Sequence, residues 1–211
     1  MKIVTAKRTR KRGYRQVARA QSAKTTGDRI VAAFEQCFHS RWFDEVTLEE
    51  VAQRAGVTVR TVIRRFGSKN GLLTALIETM APDVRARRTP AVGSADDLVD
   101  RALAVYEQIG DGVMRSLAQE ARVPELKPLI EFGRREHRRV ADEAFSEWLQ
   151  PLGPELARRV LDSLVIATDV YAWKLLRRDM GRSLAETRTV MLGMVQAALT
   201  AAPHERRSPG A

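Results

Sequence analysis

Apolar residues recur at helical spacing along almost the whole chain from Thr25 onward. The first apolar stripe predicts a helix that Thr25 or Thr26 caps and that ends between residues 39 and 42. Its predicted buried positions are Ile30, Ala33, Phe34, Cys37 and Phe38. The same periodicity continues to the C-terminal region, so we expect an all-α protein with about nine helices.

The next helices are predicted by the residues that precede them. Thr47 and Glu50 have the spacing of a capping box and predict a short second helix that ends at Gly56. Thr58 predicts a third helix over residues 59–66. Ser68 predicts a fourth helix that Pro82 ends or kinks. We therefore expect a compact three-helix domain at the N-terminal side, with its boundary at residues 25–80.

The remainder, residues 81–202, predicts a larger helical bundle. Gly110 and Gly112 are expected to interrupt its first helix. From Glu155 to Met180, apolar residues lie on two sides of one predicted helix, and a final helix follows Ser183. Burial on two sides favours a four-helix contact between two copies of the chain. Closure of the monomer's own core is the alternative.

The net charge of +10 is concentrated at the N-terminus. Residues 1–24 hold nine basic residues and no acidic one, whereas residues 25–80 hold seven of each. Such a composition is typical of a flexible arm that binds a polyanion, although a solubilising tail has the same composition. The arm residues that we expect to contact DNA are Lys7, Arg8, Arg10, Lys11, Arg12 and Arg15. Residues 203–211 are predicted to be a disordered tail.

Several classes of protein are disfavoured by the composition. No apolar run is long enough to span a membrane and no signal peptide is evident, so we expect a cytoplasmic protein. The single cysteine, Cys37, cannot form an internal disulfide and is expected to be buried. The histidines are scattered, and no nucleophile stands beside a base. We therefore expect no metal, no cofactor and no catalytic site.

The spacing of three small or aliphatic residues indicates a helix-turn-helix. Ala52 allows two helices to approach closely, Gly56 supplies positive φ at the turn, and Val62 anchors the second helix. The surrounding stretch reads FDEVTLEEVAQRAGVTVRTVIRRFGSKNGLL. This stretch resembles the DNA-binding domain of the tetracycline-repressor (TetR) family of bacterial regulators, and the resemblance extends back to about Thr25.

The resemblance implies a role for individual residues. The first residues of the second and fourth helices, Thr47 and Lys69, would contact phosphates. The third helix would enter the major groove and present Thr58, Val59, Arg60 and Thr61 to base edges. Arg60 is the residue expected to set specificity, since arginine binds guanine O6 and N7 together.

Two positions of the third helix depart from the family pattern. Ile63 stands where most members have tyrosine, so the usual phenolic group on a phosphate is absent. Arg64 and Arg65 follow it and can replace that interaction electrostatically, although arginines near a helix end are also common as solvated charges. Arg60 stands where many members have glycine, which implies a different operator.

The resemblance implies a homodimeric repressor that a small, mostly apolar effector releases from a palindromic operator in double-stranded DNA. A constitutive architectural DNA-binding protein is the main alternative, and an enzyme with an accessory DNA-binding domain is a third. The expected effector pocket shares its composition with an ordinary helical core. Its candidate lining residues are Tyr106, Met114, Leu117, Trp148, Val165, Thr168, Asp169 and Trp173.

Overall fold

The computed structural model describes residues 24–200, which are helical with short connections and contain no strand. The expected all-α fold is confirmed. The described residues form two compact units, one ending at Glu78 and one beginning at Thr79. The arm residues Lys7 to Arg15 and the tail after residue 202 lie outside the described part of the chain.

The N-terminal unit begins with helix α1, over residues 24–40. Helices α2 (Leu48–Ala55) and α3 (Val59–Phe66) follow, and α4 (Lys69–Arg88) starts in this unit. The expectation that Thr25 or Thr26 caps α1 is wrong, because the helix already includes residue 24. The predicted stripe of α1 is buried, and burial raises the pKa of the Cys37 thiol.

The sequence predicts that Pro82 either ends or kinks helix α4, and the helix does not end there. It continues to Arg88, and Pro82 is exposed. A proline inside a helix removes one N–H from the helical ladder and its ring crowds the carbonyl of the residue four positions before it. The exposed ring of Pro82 occupies no space in the core.

The C-terminal unit is built mainly from five helices. These are α5 (Ala95–Ala118), α6 (Lys127–Leu149), α7 (Pro154–Ala167), α8 (Val170–Lys174) and α9 (Leu184–Thr200). The predicted interruption at Gly110 and Gly112 is wrong, because α5 passes through both. Gly110 is needed for packing instead: a Cβ there would lie 2.5 Å from a ring carbon of Trp173.

The single helix predicted from Glu155 to Met180 is also wrong. It breaks at Thr168, where φ is −112° and ψ is 12°, and Asp169 caps the next helix by accepting from the Tyr171 N–H at 2.9 Å. Helix α8 then continues as a π-helical turn over Leu175–Asp179. An aspartate in an apolar segment is here a helix cap, which periodicity alone does not reveal.

Charged side chains join α5 to α8 at the edge of this core. Glu107 accepts from Trp173 Nε1 at 2.7 Å and from Arg177 Nε at 2.8 Å. These donors, Arg177 first, lower the pKa of Glu107 to about 2. Arg178 pairs with Asp111 at 2.9 Å and lies over the Trp173 ring.

Candidate nucleic-acid interface

Two capped helices and a tight turn form the centre of the N-terminal unit. Thr47 and Thr58 each accept the backbone N–H three residues on, at 3.2 Å, and so start α2 and α3. Gly56 ends α2 with φ of 64°. The Val57 N–H then donates to Ala52 O at 2.9 Å, which closes a Schellman turn. The helix-turn-helix expected from the sequence is present with these caps.

Helix α3 has one buried side and one exposed side. Val62 is buried, and Val59 and Phe66 are partly buried. The exposed side presents Arg60, Ile63 and Arg64, which lie at i, i+3 and i+4 and so form one surface. We call these three residues the α3 face. The Thr58 and Thr61 hydroxyl oxygens lie 3.0 Å apart at the N-terminal end of the same helix.

The positive charge of the α3 face is not neutralised by the described part of the chain. Neither Arg60 nor Arg64 lies in an ion pair with any carboxylate of residues 24–200. Elsewhere in the unit, Arg41 and Arg54 both pair with Glu50. The α3 face is thus a compact cationic surface, suited to a polyanion.

Arg65 lies on another side of α3 and points towards α1. Its guanidinium lies within 2.9 Å of the place that a Cβ on Gly27 would occupy. Glycine at position 27 therefore makes room for the arginine against the first turn of α1. The DNA contact predicted for Arg65 is untested, and in this conformation its charge lies beside α1.

The Lys69 ammonium group is held by the protein. Its Nζ donates to three carbonyl oxygens: Phe43 O at 2.7 Å, Val46 O at 3.0 Å and Asp44 O at 3.4 Å. It also lies 4.5 Å from the centroid of the Phe43 ring. These carbonyls belong to the 3₁₀ turn Phe43–Glu45 and the residue after it. A phosphate contact through this ammonium, as predicted, requires exchange of at least one carbonyl for a phosphate oxygen. Sequence reasoning missed this bracing of the segment between α1 and α2.

The junction between α3 and α4 is set by two glycines. Gly67 ends α3 with φ of 76°. A Cβ on Gly71 would lie 1.8 Å from Phe66 O, so α4 can start this close to α3 only with glycine there.

The candidate effector residues all lie in the C-terminal unit, and most of them either belong to its hydrophobic core or pack against it. Tyr106, Thr168 and Trp173 are buried, and the Tyr106 and Trp173 ring centroids are 6.0 Å apart. The partly buried members that pack against this core are Met114, Leu117, Trp148 and Val165. Asp169 caps α8, and its Oδ2 lies 3.7 Å from His137 Nε2. The pocket remains a prediction.

Exposed apolar side chains are concentrated in the last helices. Among the described residues, seven of the ten large apolar side chains that are exposed come from residues 166–194. We call these seven the C-terminal apolar surface: Ile166, Tyr171, Leu175, Met180, Leu184, Val190 and Met194. The described residues contain no cluster suited to a metal ion and no helix long and apolar enough to cross a membrane.

Comparison with known proteins places the match to a family model on the N-terminal unit. Residues 30–76 match the model of the family described as bacterial regulatory proteins, tetR family. Two relatives named uncharacterized HTH-type transcriptional regulators, from Mycobacterium tuberculosis strains CDC 1551 and H37Rv, are 34% identical over 94 residues. A Mycobacterium bovis relative of the same description is 33% identical over 94 residues.

These alignments cover 44% of this chain and 49% of each relative, so the chain spans about half the length of the curated relatives it matches. No solved structure matches the chain significantly. The similarity to the family model therefore applies to the unit that carries α2, the turn and α3.

Proposed function

We propose that this chain, whose residues 30–76 form a DNA-binding domain of the TetR family, is a regulator that binds a palindromic operator as a homodimer and is released by a small molecule. The observation that carries the proposal is the α3 face, with two arginines that no described carboxylate neutralises. Duplex DNA supplies the missing negative charge.

In this proposal α3 lies in the major groove with its N-terminal residues towards the bases. Arg60 reads a guanine, and Arg64, one turn later, neutralises a phosphate. The capped N-termini of α2 and α3 at Thr47 and Thr58 carry partial positive charge that suits phosphate oxygens. The basic residues before the described region add phosphate contacts and increase the salt dependence of binding.

The C-terminal apolar surface supports the homodimer. Two of its members, Val190 and Met194, lie one turn apart on α9, and neighbouring exposed apolar side chains are commonly a site of association. A two-fold dimer presents two α3 helices, and these fit half-sites about 34 to 36 Å apart. The effector would bind among the core residues around Tyr106 and Trp173 and favour a dimer whose α3 spacing no longer matches the operator.

The proposal includes repression, a cytoplasmic location and no catalytic role. Repression follows from occupancy of a promoter by a dimer that an effector releases. A cytoplasmic location follows from the partner, since bacterial DNA lies there. A constitutive architectural role is the alternative, and it predicts binding that no effector changes.

Selection of duplexes from a random pool with the full chain tests the proposal. We expect a palindromic sequence, bound by a particle of twice the chain mass in sedimentation. Arg64→Ala should weaken binding and reduce the magnitude of the log-log salt slope by about 0.9 for each phosphate that is no longer neutralised. Arg159→Ala, an exposed arginine of α7, is the matched control and should change neither. Selection that returns no preferred duplex would contradict the proposal.

A further inference from the structure

We propose that Ile63 contacts the 5-methyl group of a thymine in the operator, next to the guanine that Arg60 reads. This inference rests on the proposed function, and it assigns a base and a chemical group to one position. It also makes Ile63 a residue that contributes to the choice of operator sequence.

The starting observation is the exposure of Ile63. Its side chain is 47% exposed, whereas Val62, the adjacent aliphatic residue of α3, is 1% exposed. Ile63 lies four residues after Val59 and three before Phe66, so it borders the buried side of α3, and yet nearly half of its surface remains exposed to solvent. The residue lies between Arg60 and Arg64 on the α3 face, so whatever meets the two arginines also meets the isoleucine.

The chemistry of the major groove leaves few partners for an aliphatic side chain. Most base-edge groups there are hydrogen-bond donors or acceptors, and an isoleucine side chain has no group to pair with them. A phosphate group likewise has no apolar surface that an isoleucine side chain could contact. The thymine 5-methyl group is the apolar feature of the groove, and a contact with it removes apolar surface of both partners from water.

The helix geometry sets how far apart the two bases lie. Arg60 and Ile63 are three residues apart, which is about 4.5 Å along a helix axis. One base step along a strand is about 3.4 Å. The guanine and the thymine are therefore expected within one or two base pairs of each other in each half-site.

Removal of single methyl groups from the DNA tests the inference. After selection of a preferred duplex with the full chain, each thymine is replaced in turn by deoxyuridine, which lacks only the methyl group. We expect the affinity to depend on the methyl group of one thymine in each half-site. Its replacement should weaken binding by about fourfold, the equivalent of about 0.8 kcal/mol for one buried carbon group.

Variants of Ile63 show whether that methyl group is the partner. Ile63→Ala should weaken binding to the thymine duplex by roughly three- to tenfold. It should then bind thymine and deoxyuridine duplexes equally, because the alanine no longer reaches the methyl group. Ile63→Val keeps a branched apolar group and should keep the response to deoxyuridine. Val92→Ala, at an equally aliphatic position that is 67% exposed and lies outside the α3 face, is the matched control.

The outcomes separate the two proposals. A preferred duplex whose affinity tolerates deoxyuridine at every position overturns the role of Ile63 and leaves the proposed function intact. An Ile63→Ala protein that responds to deoxyuridine as strongly as the unaltered chain overturns it as well. Selection that yields no preferred duplex overturns both proposals together.

Discussion

Arginine side chains have different surroundings in the two units. In the C-terminal unit several of them close ion pairs between helical segments: Arg177 with Glu107, Arg178 with Asp111, Arg138 with Asp162, and Arg188 with Asp96 and Asp100. On α3, Arg60 and Arg64 have no carboxylate partner among the described residues. The first group joins helical segments of the fold, whereas the second carries positive charge that no described carboxylate neutralises.

The two units also differ in how far apart in sequence their stabilising groups lie. The groups that shape the helix-turn-helix are local in sequence, such as Thr47, Gly56 and Thr58 with their neighbours. The C-terminal unit depends on contacts between residues about 70 positions apart, such as Arg177 with Glu107. Local features can be matched across distant relatives more readily than a set of paired positions.

The largest effect is expected from Gly71→Ala. The new Cβ would lie 1.8 Å from Phe66 O, so the backbone between α3 and α4 must shift. We expect the N-terminal unit to lose about 3 kcal/mol or more of stability, and DNA binding with it. Denaturant unfolding followed by circular dichroism measures this loss. Gly133→Ala, at a helical glycine with open space around it, should be neutral or slightly stabilising.

Arg60→Ala should separate affinity from stability. We expect a loss of about 1 to 3 kcal/mol in operator binding, because a bidentate contact with guanine is removed. The melting temperature should stay the same, since the side chain has no partner in the described fold. Arg178→Ala should give the reverse pattern, a lower melting temperature with unchanged affinity. Equal effects of both variants on melting would break the comparison between the units.

Glu107→Gln should change how stability depends on pH. The pKa of Glu107 is about 2 in the fold against an ordinary value of 4.5, so its contribution is fully present above about pH 4.5 and is lost as pH falls towards 2. At pH 7 we expect a loss of about 1 to 2 kcal/mol, because Arg177 and Trp173 lose a charged acceptor. Urea unfolding at several pH values should show a smaller acid dependence for the variant. An unchanged acid dependence would contradict this assignment.

The smallest effect is expected from Thr58→Ala. The Thr58 hydroxyl accepts the Thr61 N–H at the start of α3, and removal of such a cap costs about 1 kcal/mol. Thr58→Asp, which can cap in the same way, should retain stability and serves as the control. If alanine and aspartate gave equal stability, the cap would not be what starts this helix.

The helices of the N-terminal unit were predictable because the residues that start and end each helix lie close to it in sequence. The bounds of α3 follow from Thr58 and from the glycine at position 67, and α2 follows from Thr47 and Gly56. The positions of Lys69 and Arg65 were not predictable. The carbonyls that accept from Lys69 and the glycine beside Arg65 lie on segments distant in sequence, and a lysine side chain reaches a carbonyl as readily as a phosphate.

The C-terminal unit was predicted less well for the same physical reason. Considered alone, Gly110 predicts a break in the helix, but the absence of a side chain there leaves room for the Trp173 ring. Asp169 suggests a polar residue inside a helix, but it starts a new helix. The effector pocket could not be separated from the core, since Tyr106 and Trp173 would serve either with the same burial.

The central claim is that Arg60 meets a guanine in the major groove, and replacement of guanine by 7-deazaguanine tests it most directly. This base keeps O6 and pairing but lacks the N7 acceptor that arginine uses. In the selected duplex, we predict that one guanine in each half-site weakens binding of the unaltered chain when replaced, and that Arg60→Ala does not respond to the same replacement. Equal sensitivity of both proteins at every guanine would contradict the claim.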